Sequence, residues 1–151
     1  MTTTKNIIEV INNLIEKNYD ANKGYLKAAE KVDATNLAIY FKENASNRLE
    51  FAEMLKNELH TYAEHDKIKS DGSTTGTLHR TWMDIKSAFS SDNDEQILEE
   101  CIRGDKASLA EYEEALETYA ELPPRFKRLI QEQITTVRTT LNRIKSLEDF
   151  A

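Results

Sequence analysis

"HDKIKSDGSTTGTLHRTWMDIKSAFSSDN", residues 65–93, is the stretch on which the fold turns. Within it, SDGSTTGT gathers Ser, Asp, Gly and Thr with no apolar period, the composition of a loop. The adjoining TLHRTWMDIKSAF sets Leu78, Trp82, Ile85 and Phe89 at helical steps, the pattern of a short amphipathic helix. A connection this long can carry a chain from one end of a helix bundle to the other. A short one can only turn it back on itself.

Long helical patterns lie on both sides. Ile7, Ile11, Leu14, Tyr25, Ala29 and Val32 recur at helical steps and predict a first helix from about Thr4 to Val32. Asp33 and Thr35 offer cap chemistry for a second, from about Thr35 to Glu64, with Phe41, Phe51, Leu55, Leu59 and Tyr62 on one face. Beyond the connection, SSDND supplies side chains that accept from free first-turn amides, and a third helix runs to about Tyr119. ELPPRF, residues 121–126, stops it, because neither proline continues a helix. A fourth runs to about Leu147, with Phe126, Ile130, Ile134, Val137, Leu141 and Ile144 inward. Two tight joints and one long one predict an all-α, ferritin-like four-helix bundle. Two antiparallel hairpins are joined by a crossover over about 65–93 that contains a short helix, and the whole of 1–151 forms one domain.

Composition sets the partner classes. The chain has 151 residues, enough for a real core, with 39% hydrophobic and 31% charged residues and only 4 Gly and 2 Pro, a helix-rich balance. The formal net charge of −7, with acids and bases interleaved, gives no basic stripe for nucleic acid and disfavours an anionic membrane. A single cysteine, Cys101, allows no internal disulfide and no cysteine zinc cluster. The start, MTTTKNIIEVINN, lacks the basic and apolar regions of a signal peptide, and no run is long enough to span a bilayer. These features predict a cytoplasmic protein.

The third helix carries an oddity. ECIRGDKASLAEYEEAL, residues 100–116, sets Asp105 and Tyr112 in the same apolar stripe as Cys101, Leu109 and Leu116. Arg48 intrudes in the same way into the second helix, between Phe41 and Phe51. The first and third helices also echo one another at a constant offset: Ile11 falls on Leu98, Leu14 on Cys101, Asn18 on Asp105 and Tyr25 on Tyr112. The echo pairs two polar intruders, Asn18 and Asp105, at equivalent depths. A buried guanidinium needs an anionic partner, and Asp105 is the candidate for Arg48, with the tyrosine hydroxyls filling remaining bonds. The competing arrangement has Arg48 snorkelling to the surface and Asp105 at the edge of its stripe.

GTLHRTWMDIKSAF (76–89), ILEECIRGDKASLAEYEEAL (97–116) and NRIKSLED (142–149) together resemble a bacterial family of ferritin-like four-helix-bundle proteins of unknown function, a domain of unknown function in the ferritin-like superfamily. The resemblance covers nearly the whole chain. Its more specific parts are Leu78-His79-Arg80-x-Trp82 and Glu99-x-x-x-Arg103-Gly104-Asp105. It implies the fold and no established activity. Because some ferritin-like proteins bind two irons, the resemblance also raises a metal centre.

A di-iron carboxylate bundle takes one Glu from each of two helices and a Glu-x-x-His pair from each of the others. Glu-x-x-His occurs nowhere in this chain, and its three histidines are His60, His65 and His79. At the depth of the expected ligands stand Asn18, Arg48, Asp105 and, in the fourth helix, Leu141, where the resemblance implies a histidine. No metal site and no cofactor is therefore expected, iron being the alternative. His60 and Glu64 are spaced to share a surface ion or to end a solvated helix. His79, beside Trp82 in the crossover, is either functional or a hydrogen-bonded anchor. Cys101 reads as a small buried hydrophobe.

Three functions remain. The first is a non-catalytic scaffold that acts through its surface or as a homo-oligomer, its buried polar layer replacing a di-iron site. The second is an oxidase or iron-storage protein with an atypical site drawn from Asp20, Glu30, Glu50 and Asp105. The third is a binder of small ligands beside Tyr25 and Tyr112.

Overall fold

A computed structural model describes residues 4–61, 93–119, 121–145 and 149. Four helices and no strands occur among them: α1 (Thr4–Lys31), α2 (Thr35–Leu59), α3 (Asp94–Thr118) and α4 (Pro124–Arg143). The 65–93 stretch, with His65, His79 and Trp82, lies outside the described residues apart from Asn93.

Each helix start has a local cause. Asn93 caps α3 by accepting the Gln96 amide at 3.2 Å, and Asp94 and Glu95 sit in its positive first turn. Pro124 opens α4, where a missing N–H costs nothing. The start of α2 departs from expectation. Its cap is Ala34, which makes no side-chain cap bond, and neither Asp33 nor Thr35 fills that role. Instead the Asp94 carboxylate of α3 accepts the amides of Asp33 and Ala34, at 2.9 and 3.0 Å. The helix diagonally across the bundle thus ties down the joint that leads into α2.

The ends are also set locally. α2 stops at Leu59, short of the expected Glu64. The Thr61 hydroxyl and amide both bond the Glu58 carbonyl, at 2.7 and 3.1 Å, which tightens the last turn away from α-geometry. α4 ends at Arg143, where Ile144 turns extended, before the expected Leu147.

α1 packs beside α2 and α3, and α4 beside α2 and α3, so that α2 faces α3 across the bundle. Cross-links fix the directions. Asn22 bonds the Ala45 carbonyl and Tyr19 reaches Glu53, so α1 and α2 are antiparallel. Asn18 meets Tyr112 and Tyr25 meets Asp105, so α1 and α3 are antiparallel. Arg125 meets Glu58 and Gln133 meets Phe51, so α4 opposes α2. The diagonal pair α2 and α3 is parallel, because Asp94 lies at Ala34 and Asp105 at Arg48. Thr61 and Asn93 therefore stand at opposite ends of α2, about 37 Å apart along a helix of 25 residues.

The core is divided. One apolar cluster joins Ile11, Leu14, Ile15, Leu55, Leu59, Phe126 and Ile130. The other joins Tyr25, Leu37, Phe41, Ile97, Leu98 and Cys101. Between them lie buried Asn18, Arg48, Asp105, Ser108 and Gln133. Leu109 and Leu116, expected in the α3 stripe, are only half-buried, as is Phe51 of α2. The stripe of α3 is rotated toward Ile97, Cys101, Asp105, Tyr112 and Ala115.

Candidate functional site

The boundary between the two apolar clusters is one hydrogen-bonded layer. Arg48 sits at its centre with a side chain 4% exposed, and its Nη2 donates to Asp105 Oδ1 at 2.9 Å. Its Nη1 donates to Asn18 Oδ1 at 2.8 Å. Asn18 Nδ2 donates to the Leu14 carbonyl at 2.9 Å and to the Tyr112 hydroxyl at 2.7 Å. Tyr112 donates to Gln133 Oε1 at 2.6 Å, and Gln133 Nε2 donates to the Phe51 carbonyl at 3.3 Å. On the other side the Tyr25 hydroxyl donates to Asp105 Oδ2. The structure therefore brings Asn18, Tyr25, Arg48, Asp105 and Tyr112 together, on α1, α2 and α3.

The layer has an internal symmetry. The bonds Asn18–Tyr112 and Tyr25–Asp105 exchange when α1 is laid on α3 by the echo that pairs Asn18 with Asp105 and Tyr25 with Tyr112. It also has a direction. From Arg48 through Asn18, Tyr112 and Gln133, each acceptor group donates onward, so the Arg48 charge polarises the whole arm. Both carboxylate oxygens of Asp105 are engaged, one by a cation and one by a phenol.

Electrostatics lock these protonation states. Burial alone pulls the Arg48 guanidinium down, but Asp105, Tyr112 and Tyr25 together more than offset this and leave it above its ordinary value. Burial pushes Tyr25 well above the usual phenol range, and Asp105 and Cys101 add to the rise. Burial pushes Tyr112 up to about 12, with Arg48 and the Asn18 bond pulling back. The Cys101 thiol is also raised well above its usual value, first by burial and then by Asp105. Such a thiol is not a poised nucleophile.

One member of the layer was not expected. Leu141 is half-buried between α3 and α4, two turns along from the layer. Gln133, 2% exposed, holds the α4 position instead. It lies at helical steps between Ile130 and Val137, the same signal that marks Asp105, but Ile134 beside it satisfies the stripe and hides it.

The acids of the atypical metal site do not converge. Glu30 and Glu50 are exposed, while Asp20 is fully buried two residues along from Asn18, on the far side of α1. His60 is exposed at the end of α2, and Glu64 lies outside the described residues. Among the described residues no three His, Cys, Asp or Glu side chains group closely enough to hold a metal ion. The layer itself does not fit two irons. It offers a single carboxylate, and that carboxylate is bonded to a fixed cation, which repels a divalent ion. The cavity bounded by Asn18, Arg48, Ser108, Glu111 and Tyr112 has a volume of about 10 Å³, the size of one water.

The family described as a domain of unknown function, DUF2383, matches residues 6–118. The chain belongs to the DUF2383 family. The DUF2383 match ends at the last residue of α3, so it takes in every residue of the layer except Gln133 of α4. No curated protein matched the chain, and neither did any solved structure. No helix among the described residues is long and apolar enough to cross a membrane.

Proposed function

We propose that this DUF2383 protein is a non-catalytic, cytoplasmic, ferritin-like bundle that acts through its surface or as a homo-oligomer. In this reading a side-chain cation stands where ferritin-like enzymes hold iron. Support for the ferritin-like topology comes from the antiparallel pairs and from the parallel diagonal pair α2 and α3. Such a pair requires a connection that returns the length of the bundle. The observation that carries the functional reading is the Arg48–Asp105 bond at the bundle's centre. An ion pair closed on itself, with phenols held protonated around it, supplies neither an open coordination position nor an unengaged base.

The test is metal analysis of protein purified with no added metal and no metal-binding tag. The expected result is substoichiometric iron and manganese. Two equivalents of iron retained through purification, with carboxylate-bridged spectra, would overturn the reading in favour of an oxidase or storage protein.

A further inference from the structure

The groove between α3 and α4 has a composition unlike the rest of this acidic chain. Ile102, Leu109 and Leu141 form its half-buried floor, and Lys106, Arg138 and Lys145 rim it, around a volume of about 510 Å³. Arg138 shares its charge with Glu113 at 2.7 Å. Lys106 and Lys145 are exposed and neither side chain is in an ion pair among the described residues, although the Lys145 backbone amide donates to the Asp149 carboxylate at 2.6 Å. The groove lining holds these three cations and no acid, whereas the groove lined by Arg125 and Arg128 includes Glu58 and the one lined by Lys17 includes Glu111 and Glu114.

We propose that this groove docks an acidic amphipathic helix of a partner protein; the proposal rests on the surface-acting reading above and names the surface. Two antiparallel helices with an apolar seam form a cradle for a third. Ile102 and Leu109 are separated by about 10 Å along α3, matching two turns of an incoming helix with apolar anchors at i and i+7. The cations are spread along the same length on both walls. A single-headed ligand such as a fatty acid meets one of them, whereas glutamates at successive turns meet all three. A second copy is the poorer occupant, because a two-fold interface through this groove sets one basic rim against another.

The probe is a synthetic helical peptide of about four turns, with leucines on one face and flanking glutamates. Its control replaces each glutamate by lysine. The readout is the backbone amide spectrum of the full chain. The expected result is shifts confined to residues around Ile102, Lys106, Leu109 and Leu141 with the acidic peptide only. Affinity should fall about tenfold or more in a Lys106→Glu, Lys145→Glu variant, since reversed charges now repel the ligand. Both sites are exposed, so the variant keeps its fold. Several results would each overturn the proposal: no shifts at millimolar peptide, equal binding of the lysine control, unchanged affinity in the variant, or shifts elsewhere. Dodecanoate reproducing the shifts while the peptide is silent would assign the groove to a fatty acid. Concentration-dependent shifts without peptide would assign it to a second copy. All these failures leave the iron measurement untouched, so the two readings fall separately.

Discussion

Arg48 Nη2 and Asp105 Oδ1 lie 2.9 Å apart on α2 and α3, helices that face each other across the bundle. The pair therefore crosses the centre of the fold, where both side chains are about 95% shielded (4% and 5% exposed). Desolvation of two such charges offsets most of their attraction, so the pair fixes how the helices meet more than it adds net stability.

Asp105→Ala leaves a guanidinium unpaired in a dry layer and is expected to cost about 3–5 kcal/mol. Replacing Arg48 and Asp105 together by well-packed apolar residues should cost much less, because the uncompensated charge leaves with its partner. Urea denaturation of wild type, both single variants and the double variant measures the coupling. Small, additive losses would contradict the buried geometry.

Tyr112→Phe removes one hydroxyl, leaving Gln133 Oε1 without a donor and one of the two Asn18 Nδ2 protons without an acceptor. The expected loss is about 1–3 kcal/mol, the cost of buried polar groups without partners. Gln133→Leu should cost less, about 0.5–1.5 kcal/mol, since the Tyr112 hydroxyl can donate instead to Asn18 Oδ1 at 3.1 Å. The same denaturation midpoints check both. A loss within a few tenths of a kcal/mol for either would mean that a water repairs the arm.

Alkaline pH should unfold the protein through Tyr25 and Tyr112. Both phenols are raised in the folded state, Tyr112 to about 12, against about 10 when unfolded. Between those values the unfolded chain has lost protons that the folded chain keeps. Stability is thus fully present below pH 10 and falls as pH rises through 12, by about 1.4 kcal/mol per pH unit for each phenol. Tyrosinate absorbance followed alongside circular dichroism should show these two ionising only as the helices melt. In Tyr112→Phe the slope should be shallower. Early, reversible ionisation of all six tyrosines would refute it.

Cys101 should resist Ellman's reagent in the native protein and react at once in denaturant, because it is buried with its thiol pKa raised. Native-state labelling then reports opening of the cluster around Tyr25 and Phe41. Rapid stoichiometric labelling in buffer would show that the cluster is open.

The range of each interaction decides whether the sequence disclosed it. Helix positions, the two tight joints and the polar intruders Arg48 and Asp105 were legible, because periodicity is local and a charged residue inside an apolar stripe breaks it. The anchoring of the α1–α2 joint was not, since it comes from Asp94, 60 residues away from Ala34. Asp20 was not, because its burial lies off the stripe that includes Asn18. Gln133 was concealed by the isoleucine beside it. The half-burial of Leu109 and Leu116 depends on how α3 is rotated about its axis, which only its neighbours decide.

The sequence separations within the layer imply an order of assembly. Arg48–Asn18 and Tyr112–Gln133 join residues 30 and 21 apart, each within one hairpin. Asn18–Tyr112, Tyr25–Asp105 and Arg48–Asp105 join residues 94, 80 and 57 apart, across hairpins. Each hairpin can thus carry half a layer before the halves meet, and loop-closure entropy delays the meeting. Contacts completed after the rate-limiting barrier govern how long the native state lasts rather than how fast it is reached. The ion pair at the centre of this bundle is therefore a latch on unfolding: its loss should shorten the lifetime of the folded protein while leaving its folding rate nearly unchanged.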